Sequence, residues 1–331
     1  VSVPTAEDGR VTIESWLSEW DDRSLARDVL NGLTASPKDV PPKHFYDTRG
    51  SELFEQICAL PEYYPTRAET SILISRSDEI VAFGAGELVE LGSGAATKAR
   101  LLLSAMERAG NLRRYIPIDV SEQVVRSAGD ALVNDFAGLL VHGVIGDFER
   151  HLERVPRQLP DTPRIVALLG GTVGNFKPDA RRELLRGMAS LMNSHDRLLL
   201  GTDLVKDVAV LEAAYNDAAG VTPEFNKNVL HVINRELDAD FDVSAFEHVA
   251  FFDHENEWID IRLRALRAMT VNVRSLDLSV HFDEGEDLRT EISAKFTPAR
   301  VNDDFAAAGL IVDYQLVDDE GRFALWLART R

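Results

Sequence analysis

Cysteine is nearly missing from this 331-residue chain, where Cys58 stands alone. An internal disulfide and a cysteine-built zinc site are therefore excluded, and a reducing compartment, the cytoplasm, is expected. Cys58 lies in an apolar helical pattern over residues 53–60, so packing is its expected duty rather than nucleophilic chemistry. Positive charge is also scarce. Lys and Arg number 36 against 55 Asp and Glu, a formal net charge of −19. Phosphate binding rests on clustered cations, so nucleic acid is not an expected partner. No apolar run reaches membrane-spanning length, and the polar, acidic N-terminus lacks a basic region followed by an apolar stretch. Neither a membrane partner nor a signal peptide is expected. There is no H-E-x-x-H and no P-loop, and Leu91-Gly92-Ser93-Gly94 lacks the first glycine of a nucleophile elbow. His248, Asp253 and His254 could be imagined around a metal, but scattered surface histidines are the expected reading, and no metal is expected.

Hydrophobic residues make up 45% of the chain, enough for a sizeable core. The chain is organised around residues 86–98. A short buried strand, Leu88-Val89-Glu90-Leu91, meets the turn Gly92-Ser93-Gly94, and an apolar helical pattern follows through Leu101, Leu102, Leu103 and Met106. Strand, glycine turn and helix is how an open α/β sheet cradles a nucleotide-like ligand. A nicotinamide fingerprint would carry a third glycine or alanine where Thr97 stands. The shorter form is closer to a site for S-adenosylmethionine (SAM).

From residue 87 the pattern alternates. Strands are expected at 114–120, 139–145, 164–169 and 196–201, with helices over 121–136 and 178–192. Near-continuous apolar strands separated by helices predict a parallel sheet with helices on both faces. Before residue 87 three helices are expected, at 11–33 with Gly32 as its stop, around Cys58, and at 68–83; residues 1 to about 10 read as a loose tail. After Asp207 the alternation lapses. Helices at 208–219 and 226–237 precede strand-like stretches at 247–253, 258–269, 276–282 and 290–296. A helix at 301–308 and strands at 311–317 and 323–328 close the chain and are expected to complete the sheet.

Ligands in such folds bind at the carboxyl ends of the strands. That gathers Gly92, Ser93, Gly94, Asp119, Asp147 and the 170–175 loop. A carboxylate at Asp119 suits the two ribose hydroxyls, and Asp147 suits an adenine amino group. A helix cap or a surface acid is the lesser reading of Asp119, whereas a turn explains Asp147 alone nearly as well. NAD brings a pyrophosphate that wants cations, whereas SAM brings a sulfonium that tolerates Glu90 and an acidic crevice. The three acids favour SAM.

Several segments together resemble the histidine-specific SAM-dependent methyltransferases of ergothioneine biosynthesis. They are Phe45-Tyr46-Asp47, Leu60-Pro61-Glu62-Tyr63-Tyr64-Pro65-Thr66-Arg67, Glu90-Leu91-Gly92-Ser93-Gly94, residues 170–175, residues 200–207 and Thr290-Glu291-Ile292-Ser293-Ala294-Lys295-Phe296. The resemblance implies an α/β fold, a class I methyltransferase Rossmann-like sheet with a second α+β substrate-binding lobe. Residues 12–67 and 206–295 would form that lobe, and residues 68–205 with 296–331 the SAM-binding domain. It implies methyl transfer from SAM to the α-amino group of L-histidine, giving trimethylhistidine (hercynine). Carried over residue by residue, Asn175 and Tyr215 hold the amino-acid head with Tyr46 close by, and Asn175 and Tyr46 are the catalytic candidates. Tyr63 lines the substrate site, and Glu291 and Ser293 bond the imidazole. Asp119, Asp147 and Phe148 take ribose and adenine. Gly92 and Lys98 face the methionine end of SAM, with Ser93 and Gly94 also binding the cofactor. One position departs, with Ile261 standing where some members carry methionine. A relative acting on another amino acid and a non-catalytic SAM-binding regulator are the alternative readings.

Overall fold

The computed structural model describes residues 9–17 and 24–331. In chain order its elements are β1 (Val11–Ser15), α1 (Ser24–Thr34), β2 (Lys38–Asp39), α2 (Thr48–Ala59), α3 (Pro65–Val81), β3 (Glu87–Leu91), α4 (Thr97–Arg108) and β4 (Arg114–Asp119). They continue as α5 (Glu122–Asp135), β5 (Leu140–Ile145), α6 (Phe148–His151), β6 (Arg164–Leu168), α7 (Pro178–Ser190), β7 (Arg197–Asp203), α8 (Val208–Ala213) and α9 (Val221–Leu237). The last are β8 (Phe246–Asp253), β9 (Trp258–Ala265), β10 (Met269–Val273), β11 (Leu278–Phe282), β12 (Asp287–Ala294), α10 (Pro298–Ala307), β13 (Leu310–Val317) and β14 (Phe323–Thr330).

The described chain divides into two compact units. The first comprises residues 9–17, Arg67–Leu204 and Phe296–Arg331. Its sheet runs β1-β5-β4-β3-β6-β7-β14-β13. The pairs from β1 to β7 are parallel, while β14 is antiparallel to both β7 and β13. This is the Rossmann-like sheet expected from the sequence, extended by β1 at one edge. All five residues of β3 are buried, as expected for a central strand covered on both faces. Leu102, Leu103 and Met106 of α4 join that core. Polar groups at the strand starts are paired: Arg164 Nε donates to Glu87 at 2.6 Å, and Arg157 holds Asp196 at 2.6 and 2.9 Å. Such buried charges are tolerable only when matched this way. The first unit also closes on itself where the chain leaves and returns. Leu204 bridges Phe296 in parallel, and Phe296 N donates to the Asp203 carbonyl at 2.8 Å.

The second unit comprises residues 24–66 and Val205–Lys295. A four-stranded sheet in the order β2-β12-β9-β8 and a β10–β11 hairpin pack with helices around Phe45, Phe225, Leu230, Phe246, Leu263 and Phe282. In β12 the register slips between Arg289 and Glu291. The bulge leaves Thr290 buried, donating to Asn226 Oδ1 at 2.6 Å.

Four sequence expectations are corrected here. The helix expected at 11–33 is a strand followed by α1, with Trp20 falling outside the described residues. Val11 and Ile13 alternate inward, and among the described residues the strand pairs with distant β5. Residues 12–17 accordingly belong to the first unit rather than to the second lobe. Gly32 does not stop α1, which runs on to Thr34. A Cβ there would sit 1.8 Å from the Asp39 carbonyl oxygen, so the glycine permits a close approach. Finally, α8 ends at Ala213 and the next helix begins at Val221, where Asp217 accepts from Val221 N and Thr222 N at 2.9 and 2.7 Å.

Candidate active site

In the first unit, the order reverses beside β3, which lies between β4 and β6. Such a switch point opens a crevice at the strand ends. Here the glycine turn follows. Gly92 and Gly94 have φ of +66° and +48°, a region that side chains rarely adopt. Gly92 is exposed, and a Cβ on it would meet the Phe148 ring at 3.7 Å. Ser93 is buried. Asp119 ends β4 and ties the turn to it, with Oδ2 accepting from Gly94 N at 3.0 Å and Oδ1 from Ser121 N at 3.1 Å. Asp147 caps α6 through Glu149 N at 2.9 Å and sets Phe148 at the start of that helix. Both acids thus perform local capping, and a carboxylate oxygen so engaged still has acceptor capacity for a ligand.

Glu90, at the end of β3, meets a hydroxyl: Tyr115 donates to its Oε2. Burial lifts the Glu90 carboxyl to about 7, against the lowering effect of that bond and of Lys98. Lys98, half-buried on α4, pairs with Glu69. Glu69 is fully buried, and both its oxygens accept from Gly170 N at 2.9 Å. One carboxylate therefore links α3, α4 and the loop after β6. Gly201 makes room for it, since a Cβ there would lie 2.3 Å from Glu69 Oε1. The loop continues through Gly170 and Gly171, both at positive φ, into a 3-10 turn (Thr172–Asn175) ending at half-buried Asn175.

The second unit collects the remaining candidates. Tyr46 is exposed and packs edge-on against Phe54 and Phe225, with ring centroids 5.6 and 5.5 Å apart. Tyr63 continues the row, 6.3 Å from Phe54 and 6.3 Å from Tyr215. Burial raises the Tyr63 phenol well above its usual value, and Tyr215, Cys58, Tyr46 and Glu291 add to the effect. Tyr215 and Ser293 share a hydroxyl–hydroxyl bond of 2.7 Å. The resemblance implies a place for Tyr215 at the amino-acid head and for Ser293 at the imidazole, and the two hydroxyls are in direct contact. Glu291 and Ser293, two apart on β12, project to one face.

Three participants escaped the sequence reading. Lys295 is fully buried and donates to Tyr215 Oη at 2.9 Å and Ser293 Oγ at 2.8 Å. Its signal was the period of two, Glu291, Ser293, Lys295. Glu69 sits among Ala68, Ile72 and Leu73, an acid in the apolar stripe of a helix. His248 is not a surface histidine. Its Nε2 donates to the Tyr215 carbonyl at 2.9 Å, its Nδ1 accepts from Asn226 at 2.9 Å, and burial lowers its pKa. His254 packs against Phe252, and Asp253 caps the following turn. Among the described residues there is no group of three or more His, Cys, Asp or Glu placed to hold a metal, and no helix long and apolar enough to cross a membrane.

Residues 25–330 match the family model described as "Histidine-specific methyltransferase, SAM-dependent". The chain belongs to this family. Over 306 residues it is 52% identical to the Histidine N-alpha-methyltransferase of Mycolicibacterium smegmatis, covering 92% of this chain and 94% of that protein. The corresponding protein of Mycobacterium tuberculosis is 50% identical over the same shares. A more distant relative, an L-tryptophan methyltransferase of Psilocybe serbica, is 27% identical over 90% of each chain. As a member of the family the chain is a SAM-dependent methyltransferase, and SAM is its methyl donor.

Proposed function

We propose that this chain transfers methyl groups from SAM to the α-amino group of L-histidine, giving trimethylhistidine for ergothioneine biosynthesis. The observation that carries the reading is the family match joined to Glu291, Ser293 and Tyr215, which offer a carboxylate and hydroxyls on one side of β12. An imidazole carries a nitrogen for each. The first unit is then the SAM-binding domain and the second the substrate-binding lobe. A single cysteine suits a reducing cytoplasm, where we place the reaction.

The residues of the first unit fit SAM. Acids stand at three strand ends around an exposed glycine, a donor set that accepts a cationic nucleoside. Asp119 takes the ribose hydroxyls, Asp147 the adenine amino group, and the Phe148 ring the base. Gly92, Ser93 and Gly94 let backbone approach the methionine end, whose carboxylate meets Lys98. SAM, when bound, supplies a methyl already activated by a sulfonium. The protein's part is alignment and proton management. A substrate ammonium with a pKa two units above ambient costs roughly 2.7 kcal/mol to deprotonate. The amide oxygen of Asn175 orients the resulting lone pair without adding a charge that would hold the proton. Tyr46 and Tyr63 supply aromatic faces, which tolerate the growing quaternary ammonium.

Incubation with SAM and a panel of amino acids, read by mass spectrometry for successive methyl additions, tests this. Histidine is expected to gain up to three methyls. Modification of another amino acid in its place would make the chain a relative of different specificity. SAM binding with no amino acid modified would make it a regulator.

A further inference from the structure

Helix α4 begins with a cation. Lys98 stands in its first turn, which contains no acid and has no side-chain cap, although the positive end of a helix dipole favours anions there. The compensating anion comes from α3. Glu69, fully buried, pairs with Lys98 and accepts from Gly170 N at 2.9 Å through both oxygens. Lys98 Nζ in turn lies 3.3 Å from the point where a Cβ on Gly170 would stand. One carboxylate thus meets the helix that follows the glycine turn and the head of the loop that ends at Asn175. A buried ion pair adds little net stability over apolar packing, so stability alone does not account for an acid in the apolar stripe of α3.

We propose that Glu69 is a positioning residue for both halves of the reaction. Its carboxylate holds Lys98 for the carboxylate of the donor and, through the Gly170 amide, holds the loop that presents Asn175 to the substrate amine. This rests on the roles read for Lys98 and Asn175 and adds what sets the two in place.

The two arms differ in what they ask of residue 69. The Lys98 arm needs an anion, whereas the Gly170 arm needs only an acceptor. Glu69→Gln keeps an oxygen for Gly170 N but turns an amide donor toward the ammonium, so it breaks the first arm and spares the second. Glu69→Ala breaks both. Glu90 lies within electrostatic reach of Lys98 and of Glu69, so a Lys98 released from Glu69 has a second carboxylate to turn to.

Calorimetry of the full chain with S-adenosylhomocysteine reads the first arm. Lys98→Met and Glu69→Gln should each weaken binding about tenfold, and the double variant no more than Lys98→Met alone, because members of one ion-pair network are not additive. Unchanged or tighter binding in Glu69→Gln, or losses that add in the double variant, would overturn the proposal. Turnover of L-histidine at saturating SAM reads the second arm. Here kcat should fall about tenfold further in Glu69→Ala than in Glu69→Gln, as misplacement of a positioning group does, and the difference should disappear when Asn175 is also alanine. Equal kcat in the two Glu69 variants would overturn the proposal, as would a difference that persists beside Asn175→Ala. Should Glu69→Ala fail to fold, Glu69→Met fills the space without an acceptor and takes its place. The underlying roles are checked by the single variants. Lys98→Met with wild-type affinity, or Asn175→Ala with wild-type kcat, removes that residue from the site and the proposal with it, whatever the Glu69 variants do.

Discussion

Glu291 and Ile261 face each other across the β12–β9 ladder as direct antiparallel partners. Opposed residues on such a ladder share a face and a space. The carboxylate proposed to read the imidazole therefore stands beside a buried branched aliphatic side chain, at the position where the sequence departs from some relatives. Truncating Glu291 to alanine both removes the charge and widens that shared space. Glu291→Ala should lower kcat/KM for histidine by roughly 10- to 150-fold, the worth of one hydrogen bond to a charged group. Activity toward tryptophan or phenylalanine should rise. Steady-state kinetics with histidine and tryptophan check this, and a ratio that does not move toward tryptophan would strip Glu291 of its specificity role.

Asn175 closes the loop that Glu69 anchors at Gly170. Asn175→Asp keeps the shape but adds an anion, which favours the ammonium form of the substrate. Turnover should fall while histidine binding holds or tightens. The comparison of kcat with the histidine dissociation constant is the measurement, and normal turnover in the variant would exclude Asn175 from the mechanism.

Glu90 carries a pH signature. Its folded value of about 7 lies above the usual 4.5 because burial penalises the charge. The folded state therefore holds a proton that the unfolded chain has released, and stability contributed by Glu90 declines as pH rises from 4.5 to 7. Above pH 7 the cost is fully developed, on the order of 3 kcal/mol. Ligand-free Glu90→Gln, which still accepts from Tyr115, should melt higher than wild type at pH 8, with the gap closing as the pH is lowered toward 4.5. A gap that is the same at both ends of this range would show that Glu90 does not titrate as described.

The parallel sheet was legible because its strands are apolar runs that end in or near Gly or Asp, and because period 3.6 separates them. β1 was not. Its alternation at Val11 and Ile13 is short and runs straight into Trp16 and Leu17, which extend a helical pattern, while its partner β5 lies more than a hundred residues away. The stretch 258–269 read as one strand but breaks after Ala265, where the chain turns through exposed Leu266. Within the site, Glu291 and Ser293 were readable from spacing. Lys295 continues the same alternation one step past the end of β12, yet a lysine is by habit assigned to solvent. Only the packed structure shows it fully buried against two hydroxyls. Likewise His248 gave no pattern of its own, because its partners, Asn226 and the Tyr215 carbonyl, come from separate elements.

The Leu204–Phe296 bridge makes everything from residue 205 to residue 295 a topological parenthesis. The sheet is interrupted and resumed at one point, with the two ends already in register. Closing such a loop depends only weakly on its length, each doubling adding about 0.6 kcal/mol. The strands proposed to hold the donor are thus insulated from changes of content inside the parenthesis. On the proposed division of labour, insertions, deletions and altered side chains there would retune which amino acid is methylated while the register of the first unit's sheet stays as it is.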